Sequence, residues 1–155
     1  MFTSQVCLDG FTNLNKYVDM SIPIEVLGLM VKQAQYRQHR ALERRLAPLG
    51  VSLVQWNALR EIHRYPGSSM HQLAELTFNS DQAFGTLVSR LMKMGLVARQ
   101  PGAGRVMTHT LTPSGQGVLD QCQQIVPEVV EKSFEPLSEA DRQELHRLLT
   151  ILLAK

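Results

Sequence analysis

The sequence predicts a mainly α-helical fold that carries one small β-hairpin. Apolar residues recur at helical spacing over most of the 155 residues, in segments that end at Gly or Pro. From Met70 to Gly115, two short amphipathic helices joined by a tight turn precede two short strands around a Gly-rich tip. Two helices, a turn and a hairpin in this order are typical of a winged helix-turn-helix, whose second helix fits the DNA major groove.

The first two helices are delimited by turn residues and by a capping signal. Pro23 marks the predicted start of a long helix, and Pro48 and Gly50 end it. The second helix begins at Ser52, whose hydroxyl can accept a first-turn amide hydrogen while Gln55 reaches back to the backbone, the arrangement called a capping box. A Tyr-Pro-Gly turn ends this helix.

The helix-turn-helix and the wing follow. Ser69 opens the third helix with a second capping box, and Ser80 is the predicted N-cap of the fourth. Gly95 stands where a left-handed residue is expected at the end of that helix. Residues 96–99 and 106–111 are predicted strands, because turn-forming Gly and Pro separate two short apolar runs.

Two further helices complete the chain. Thr112 is predicted to cap the fifth helix, with Pro113 at its favoured first position, and Pro127 is expected to bend it. Ser138 opens the last helix through an acidic variant of the capping box. Both helices carry apolar stripes longer than a small winged domain can cover.

This order of elements predicts three regions. They are an N-terminal arm (residues 1–22), a winged helix-turn-helix DNA-binding domain (residues 50–113) and a helical dimerisation region (residues 23–49 and 114–155). Apolar faces this long would be a liability on a monomer, and a two-fold homodimer would bury them. Such a dimer would also place two recognition helices roughly 34 Å apart, about one turn of DNA. The alternative is a monomer whose terminal helices pack on each other.

Charge and composition restrict the function classes. The hydrophobic fraction of 44% excludes a disordered chain, and the net charge of +2 permits nucleic-acid binding without requiring it. Residues 50–113 hold six Lys or Arg against three Asp or Glu, whereas residues 114–155 hold four against seven. This asymmetry favours one DNA-facing surface, unless it is chance variation. With no secretory leader and no apolar run near the roughly 20 residues that cross a bilayer, we expect a cytoplasmic protein without a membrane partner.

The fourth helix carries the predicted DNA-reading face. Its polar residues recur by four, three and four positions opposite the apolar stripe, although any surface helix has a polar side. These residues are Gln82, Thr86, Ser89 and Lys93. Gln82 can pair with adenine, and the methyl group of Thr86 can touch thymine. Gly85 costs about 1 kcal/mol in a helix relative to Ala, which a close approach of DNA would explain.

Cations and helix N-termini supply the predicted phosphate contacts. Arg105 at the hairpin tip suits the narrow, negative minor groove, and Arg99 lies on the preceding strand. Ser69 and His71 lie where the amides at the start of the third helix favour phosphate. Asp81 is explained either by its helix N-terminus or by a cytosine amino group. The full set of predicted DNA contacts is Ser69, His71, Ser80, Gln82, Gly85, Thr86, Ser89, Arg90, Lys93, Arg99 and Arg105.

Three segments of the chain resemble the MarR family of bacterial transcription regulators. They are LAPLGVSLVQWNAL (46–59), LAELTFNSDQAFGTLVSRLMKMGLVAR (73–99) and LTPSG (111–115). The resemblance covers about residues 24–153. It implies a homodimeric, sequence-specific regulator, expected to be a repressor, that binds pseudo-palindromic operators and is modulated by a small aromatic or phenolic effector.

The predicted wing departs from the family pattern. The acidic residue that the family carries shortly before the wing arginine is missing ahead of Arg105, and the hairpin is about two residues shorter. In the family, an arginine at the position of Arg90 often braces the wing through that acid. Without it, Arg90 is expected to contact phosphate or to pack.

The resemblance also implies a sensing function. An effector crevice is expected between the helical layer and the winged domain, where His39 and Trp56 lie on adjoining helices. The alternative places Trp56 in the core and His39 at the surface. Cys7 would make the protein a thiol-based redox regulator, whereas Cys122 falls on the apolar stripe of the fifth helix.

Other function classes find little support in the sequence. The five histidines lack metal-ligand spacing, and no nucleophile elbow, phosphate loop or dinucleotide motif is present. We therefore predict neither an enzyme nor a cofactor or metal site. A winged-helix module that binds another protein through the same helices remains the alternative to DNA binding.

Overall fold

The computed structural model describes residues 22–102 and 107–154, and within them it is mainly helical with a two-stranded antiparallel sheet, as predicted. The helices are α1 (Ile24–Leu46), α2 (Leu53–Arg64), α3 (Met70–Leu76), α4 (Asp81–Lys93), α5 (Pro113–Phe134) and α6 (Glu139–Leu153). The strands are β1 (Val97–Pro101) and β2 (Met107–Leu111).

The chain divides into two units, residues 1–37 and 38–155, and α1 belongs to both. In the described part of the first unit, large apolar side chains of α1 face solvent, namely Ile24, Leu27, Leu29, Met30 and Val31. In the second unit, the last turns of α6 do the same with Leu148, Leu149, Ile151, Leu152 and Leu153. Each unit therefore presents apolar surface that the described residues leave uncovered.

Side-chain caps begin the helices where the sequence places them. Ser52, Ser69 and Ser138 each form a complete capping box. Ser80 accepts the Ala83 amide hydrogen at 3.2 Å, and Thr112 accepts that of Gly115 at 3.0 Å. These caps satisfy amides that have no partner inside the helix, so they position α3 and α4 relative to the turn between them.

The helix C-termini follow the predicted Gly and Pro signals. α1 ends at Leu46 because Pro48 cannot donate a helical hydrogen bond and disfavours helical geometry at Ala47, and a short 3-10 turn completes the segment. Gly50 and Gly95 adopt the left-handed φ angles of 74° and 72° that glycine tolerates best. α5 continues through Pro127 to Phe134.

The hairpin pairs β1 with β2 in a single register. Val97 lies opposite Leu111, and Pro101 lies opposite Met107. β1 extends two residues beyond the predicted end at Arg99, because in a two-stranded sheet even Pro101 occupies an edge strand, where a missing amide is tolerated. Residues 103–106 lie outside the described residues, and with them Arg105 and half of the hairpin tip predicted at residues 100–105.

The core of the second unit is built around α2. This helix contacts α3, α4, α5 and β2, and the largest fully buried side chains come from five of the helices, α1 to α5. They include Leu59, Ile62, Leu73, Phe84, Leu91 and Leu119. The consequence for the site is that α4 is held by its apolar face, which leaves its polar face to solvent.

The turn between α3 and α4 holds an exposed phenylalanine in a left-handed conformation. Phe78 has φ 56° and is 97% exposed. The buried Thr77 donates its hydroxyl hydrogen to the Leu73 carbonyl at 2.8 Å, and the Asn79 side chain donates to the Thr77 carbonyl at 2.9 Å. The backbone amide of Asn79 donates a hydrogen bond to the Ala74 carbonyl at 2.9 Å, which closes the turn. The neighbours of Phe78 therefore enforce a backbone geometry that its own side chain disfavours.

Phe78→Gly is expected to stabilise the protein by about 0.5–1 kcal/mol, because glycine adopts the left-handed conformation without strain. Part of the gain is offset, because glycine also raises the conformational entropy of the unfolded chain. Thermal unfolding monitored by circular dichroism should show a midpoint a few degrees higher. Phe78→Ala is the control, since it removes the ring but keeps the Cβ atom, and its midpoint should stay near that of the wild type. Equal midpoints for the two variants would contradict the strain argument.

Candidate nucleic-acid interface

α4 turns one face to the core and the opposite face to solvent. Phe84, Val88 and Leu91 are buried. The polar residues on the other side are all exposed, as their spacing predicts, and they are Gln82, Thr86, Ser89 and Lys93. A helix with a firmly packed back and an exposed polar front has the form of a recognition helix.

Hydrogen bonds within α4 decide which groups this face offers. The Thr86 hydroxyl donates to the Gln82 carbonyl at 3.0 Å, and the Ser89 hydroxyl donates to the Gly85 carbonyl at 2.8 Å. The methyl group of Thr86 is therefore the part best suited to an outside contact. The Gln82 amide makes no side-chain hydrogen bond with the described residues, so its donor and acceptor are both available for a base edge.

Gly85 is not required by its surroundings in the protein. A Cβ atom placed there would meet only the Met70 Cε atom, at 3.9 Å, which is an ordinary van der Waals contact. Because glycine costs about 1 kcal/mol in a helix relative to alanine, its presence calls for a reason outside these contacts. A close approach of DNA at this position is such a reason.

An open cleft of about 730 Å³ runs between the start of α2 and the polar side of α4. Its walls combine several of the predicted DNA-contact residues with other residues, which come from α2 and from the turn between α3 and α4. The lining residues are Ser52, Val54, Gln55, Asn79, Ser80, Gln82, Ala83, Thr86, Leu87 and Arg90. Arg90 thus borders the cleft, and the described residues contain no ion-pair partner for it.

The first turns of α3 and α4 are joined by an ion pair. The His71 Nδ1 atom lies 3.0 Å and 3.1 Å from the two carboxylate oxygens of Asp81, and its Nε2 atom lies 3.7 Å from Glu75. The hydrogen bond to Asp81, followed by the charges of Asp81 and Glu75, raises the pKa of His71 above its ordinary value. Asp81, for which the sequence offered two explanations, therefore has a third role as the partner of His71.

The wing places one cation beside a buried histidine. Arg99 on β1 is exposed and lies opposite His109 on β2, which is only 8% exposed. Burial and the charge of Arg99 lower the pKa of His109, so this imidazole stays neutral at physiological pH. The exposed guanidinium of Arg99 is accessible to phosphate.

The two candidate effector residues lie in different environments. Trp56 is 8% exposed and belongs to the core, where the Arg60 guanidinium lies 4.7 Å from its ring centroid. Its Nε1 atom finds no hydrogen-bond partner among the described residues. His39 is half-buried, with its Nε2 atom 3.8 Å from the Glu43 carboxylate. Neither residue lines the cleft beside α4.

The sequence model that describes the MarR family matches residues 49–105 of this chain, which contain α2, α3, α4 and β1. Solved MarR-family structures also match more than four fifths of the chain. The chain is similar to the MarR family in this segment and in its fold. Winged helix, exposed recognition face and family match therefore agree on the same part of the molecule.

Curated relatives of this chain are named as repressors. The HTH-type transcriptional repressor Rv2887 of Mycobacterium tuberculosis is 29% identical over 106 residues, which are 67% of this chain and 76% of the relative. The HTH-type transcriptional repressor IacR of Pseudomonas putida is 26% identical over 118 residues, 75% of this chain and 71% of the relative.

Solved MarR-family structures show the same fold. The complex of Rv2887 with p-aminosalicylic acid has a TM-score of 0.67 at 26% identity and covers 83% of this chain and 98% of that chain. A mutant of MarR from Escherichia coli with operator DNA has a TM-score of 0.77 at 24% identity, covering 84% and 96%.

The described residues offer little support for metal binding, thiol chemistry or membrane insertion. No group of three His, Cys, Asp or Glu side chains in that part of the chain could hold a metal ion. Cys122 is fully buried, and burial raises the pKa of its thiol, which disfavours the reactive thiolate. Cys7 lies outside the described residues. None of the described helices is long and apolar enough to cross a membrane.

One buried charge escaped the sequence analysis. Glu61 on α2 is 3% exposed, and its carboxylate accepts a hydrogen bond from Arg60 at 2.7 Å, with Arg64 at 3.9 Å. Arg60 also donates to Asn57 at 2.6 Å. Arg60 next to Glu61 and Arg64 about one helical turn later were the available signal. A buried carboxylate needs such partners. The Glu61 carboxylate therefore holds the Arg60 guanidinium in place over the Trp56 ring.

Proposed function

We propose that this MarR-family chain is a homodimeric, sequence-specific transcriptional repressor whose affinity for a pseudo-palindromic DNA operator is modulated by a small aromatic ligand. The observation that carries the proposal is the exposed polar face of α4, held in place by its buried opposite face. Because a protein that binds a DNA operator works where the DNA is, we propose that the protein is cytoplasmic. The role is regulatory rather than catalytic, in keeping with the family.

DNA recognition would divide between two groups of residues. Gln82 and Thr86 would read base edges, with the glycine at position 85 allowing close approach. Positive side chains and helix N-termini would hold the phosphates. The proposed phosphate and minor-groove contacts are Ser69, His71, Ser80, Ser89, Arg90, Lys93, Arg99 and Arg105.

Two copies would associate through the helical ends of the chain. The exposed apolar residues at the end of α6 support this, because contiguous apolar surface marks an interaction site in a globular protein. The exposed apolar residues of α1 in the first unit support it independently. We propose residues 23–49 and 114–155 as the dimerisation region, and light scattering should give twice the mass of the chain.

A small aromatic acid is the proposed class of effector, because the relative Rv2887 has been solved with p-aminosalicylic acid and with salicylic acid. We propose His39 and Trp56 as lining residues. The buried indole Nε1 atom of Trp56, which lacks a partner among the described residues, supports this role since an acceptor on a ligand would satisfy it.

The test begins with selection of a preferred duplex from a random DNA pool by the wild-type protein. Fluorescence anisotropy should show specific binding to this duplex and a steep loss of affinity with salt, as phosphate contacts require. Absence of a preferred duplex at low salt, in a protein shown to be dimeric, would instead favour the protein-binding module.

Arg105→Ala is expected to weaken binding to the selected duplex several-fold, because the wing arginine is proposed to occupy the minor groove. The slope of log affinity against log salt should also become shallower by about two, one for each subunit of the dimer. Arg142→Ala on α6 is the charge-matched control and should leave affinity and slope unchanged. An Arg105→Ala variant that matches the control would remove this residue from the interface.

A further inference from the structure

The ion pair between α3 and α4 lies within the proposed DNA-binding surface. His71 is in the first turn of α3, Asp81 is the first residue of α4, and both side chains are 65% exposed. Among the described residues, the charged partners of this imidazole are Asp81 at 3.0 Å and Glu75 at 3.7 Å. One titratable group therefore faces two carboxylates beside the recognition helix.

The protonation of His71 decides the charge that this cluster presents to DNA. With a protonated imidazole, His71, Glu75 and Asp81 together carry one negative charge, and with a neutral imidazole they carry two. DNA phosphates repel the carboxylates and attract the imidazolium. The protonated cluster is therefore the form that DNA prefers.

We propose that His71 and Asp81 form a proton-linked contact, so that binding of operator DNA is coupled to uptake of a proton at His71. The proposal rests on the proposed function, since it assigns a further property to the same DNA-binding surface. The proposal also explains the presence of Asp81 at this surface, because its carboxylate holds the His71 imidazolium at the junction of α3 and α4.

The direction of the effect follows from the pKa of His71. Asp81 and Glu75 raise this pKa above the ordinary value of 6.5, so the protonated form persists above pH 6.5 and is lost as the pH rises through the raised value. Operator affinity should fall over that same range. By reciprocity, bound DNA should raise the pKa of His71 further.

The experiment compares the wild type with three variants on a duplex selected by the wild type at about pH 6, with ionic strength held constant up to about pH 8.5. Wild-type affinity should fall several-fold, with a limit of about tenfold per pH unit for each half-site, because one proton is exchanged per His71. His71→Gln should flatten this dependence. His63→Gln, at an exposed histidine near the end of α2, should keep the wild-type slope.

Asp81→Asn and calorimetry supply independent readouts. Asp81→Asn should bind more tightly than the wild type at about pH 8.5, because it removes a carboxylate that faces phosphate. Isothermal titration in buffers of different ionisation enthalpy should detect proton uptake by the wild type and a smaller uptake by His71→Gln.

The outcomes separate the two hypotheses. Wild-type binding with the same pH slope and proton uptake in His71→Gln would overturn the proton-linked contact and leave the proposed function intact. A wild type that selects no duplex even at about pH 6 would remove the proposed function, and this inference with it. A pH slope that is lost in His71→Gln and kept in His63→Gln is the supporting result.

Discussion

Gly115→Ala is expected to destabilise the protein by about 3 kcal/mol or more, because a Cβ atom at this position would overlap backbone. The added atom would collide with the carbonyl oxygen of Leu96 and lie 2.9 Å from its carbonyl carbon. That oxygen cannot easily move aside, since it accepts the Thr112 amide hydrogen at 3.0 Å. The contact joins the first turn of α5 to the end of the helix-turn-helix, so the loss should reach the whole DNA-binding unit.

The measurement is denaturant or thermal unfolding, with an expected drop of about 10 °C in the midpoint. Gly117→Ala is the matched control, because it makes the same substitution two residues later in α5 with nothing within 4 Å of the new atom. This control should stabilise the helix by about 0.5–1 kcal/mol. A Gly115→Ala midpoint at or above that of the wild type would refute the close approach of α5 to Leu96.

Gln82→Ala is expected to weaken binding to the selected operator roughly tenfold, since a bidentate pair with adenine contributes about 1–3 kcal/mol of discrimination. Binding to a scrambled duplex of equal length should change little, because non-specific affinity comes from phosphate contacts. Alanine is favourable in a helix, and the Gln82 side chain makes no hydrogen bond within the described residues, so stability should be retained.

Competition anisotropy with both duplexes measures this difference directly. Gln143→Ala on α6 is the control, because it removes an exposed glutamine whose only described side-chain partner is Glu139. A loss shared equally by operator and scrambled DNA would place Gln82 on the backbone rather than on a base. No loss on either duplex would exclude it from the interface.

Local features of the fold could be predicted from the sequence because their causes are local. The serines at positions 52, 69 and 138 bond to amides within the next three residues, so the pattern that predicts each cap contains all its partners. The same holds for Gly95, whose left-handed conformation serves the turn in which it lies. Element order and family resemblance followed from such signals.

The candidate site was predictable only in part. The exposed stripe of α4 follows from helical periodicity, which divides a helix into two faces regardless of its neighbours. The pairing of His71 with Asp81 does not, because it depends on the angle at which the turn brings α4 back toward α3. The burial of Glu61 is likewise set by the elements packed on α2 rather than by its own helix.

The sequence by itself determined where most helices begin, which face of each is apolar, and the order that identifies a winged helix-turn-helix. These properties depend on residues at most a few positions apart, whose interactions form inside a single element. Only the tertiary structure decided that Gly115 lies against Leu96, that Phe78 stands exposed in a strained turn, and that His71 meets Asp81. Contacts of this kind depend on how separate elements pack, and packing is a property of the assembled core rather than of any one segment.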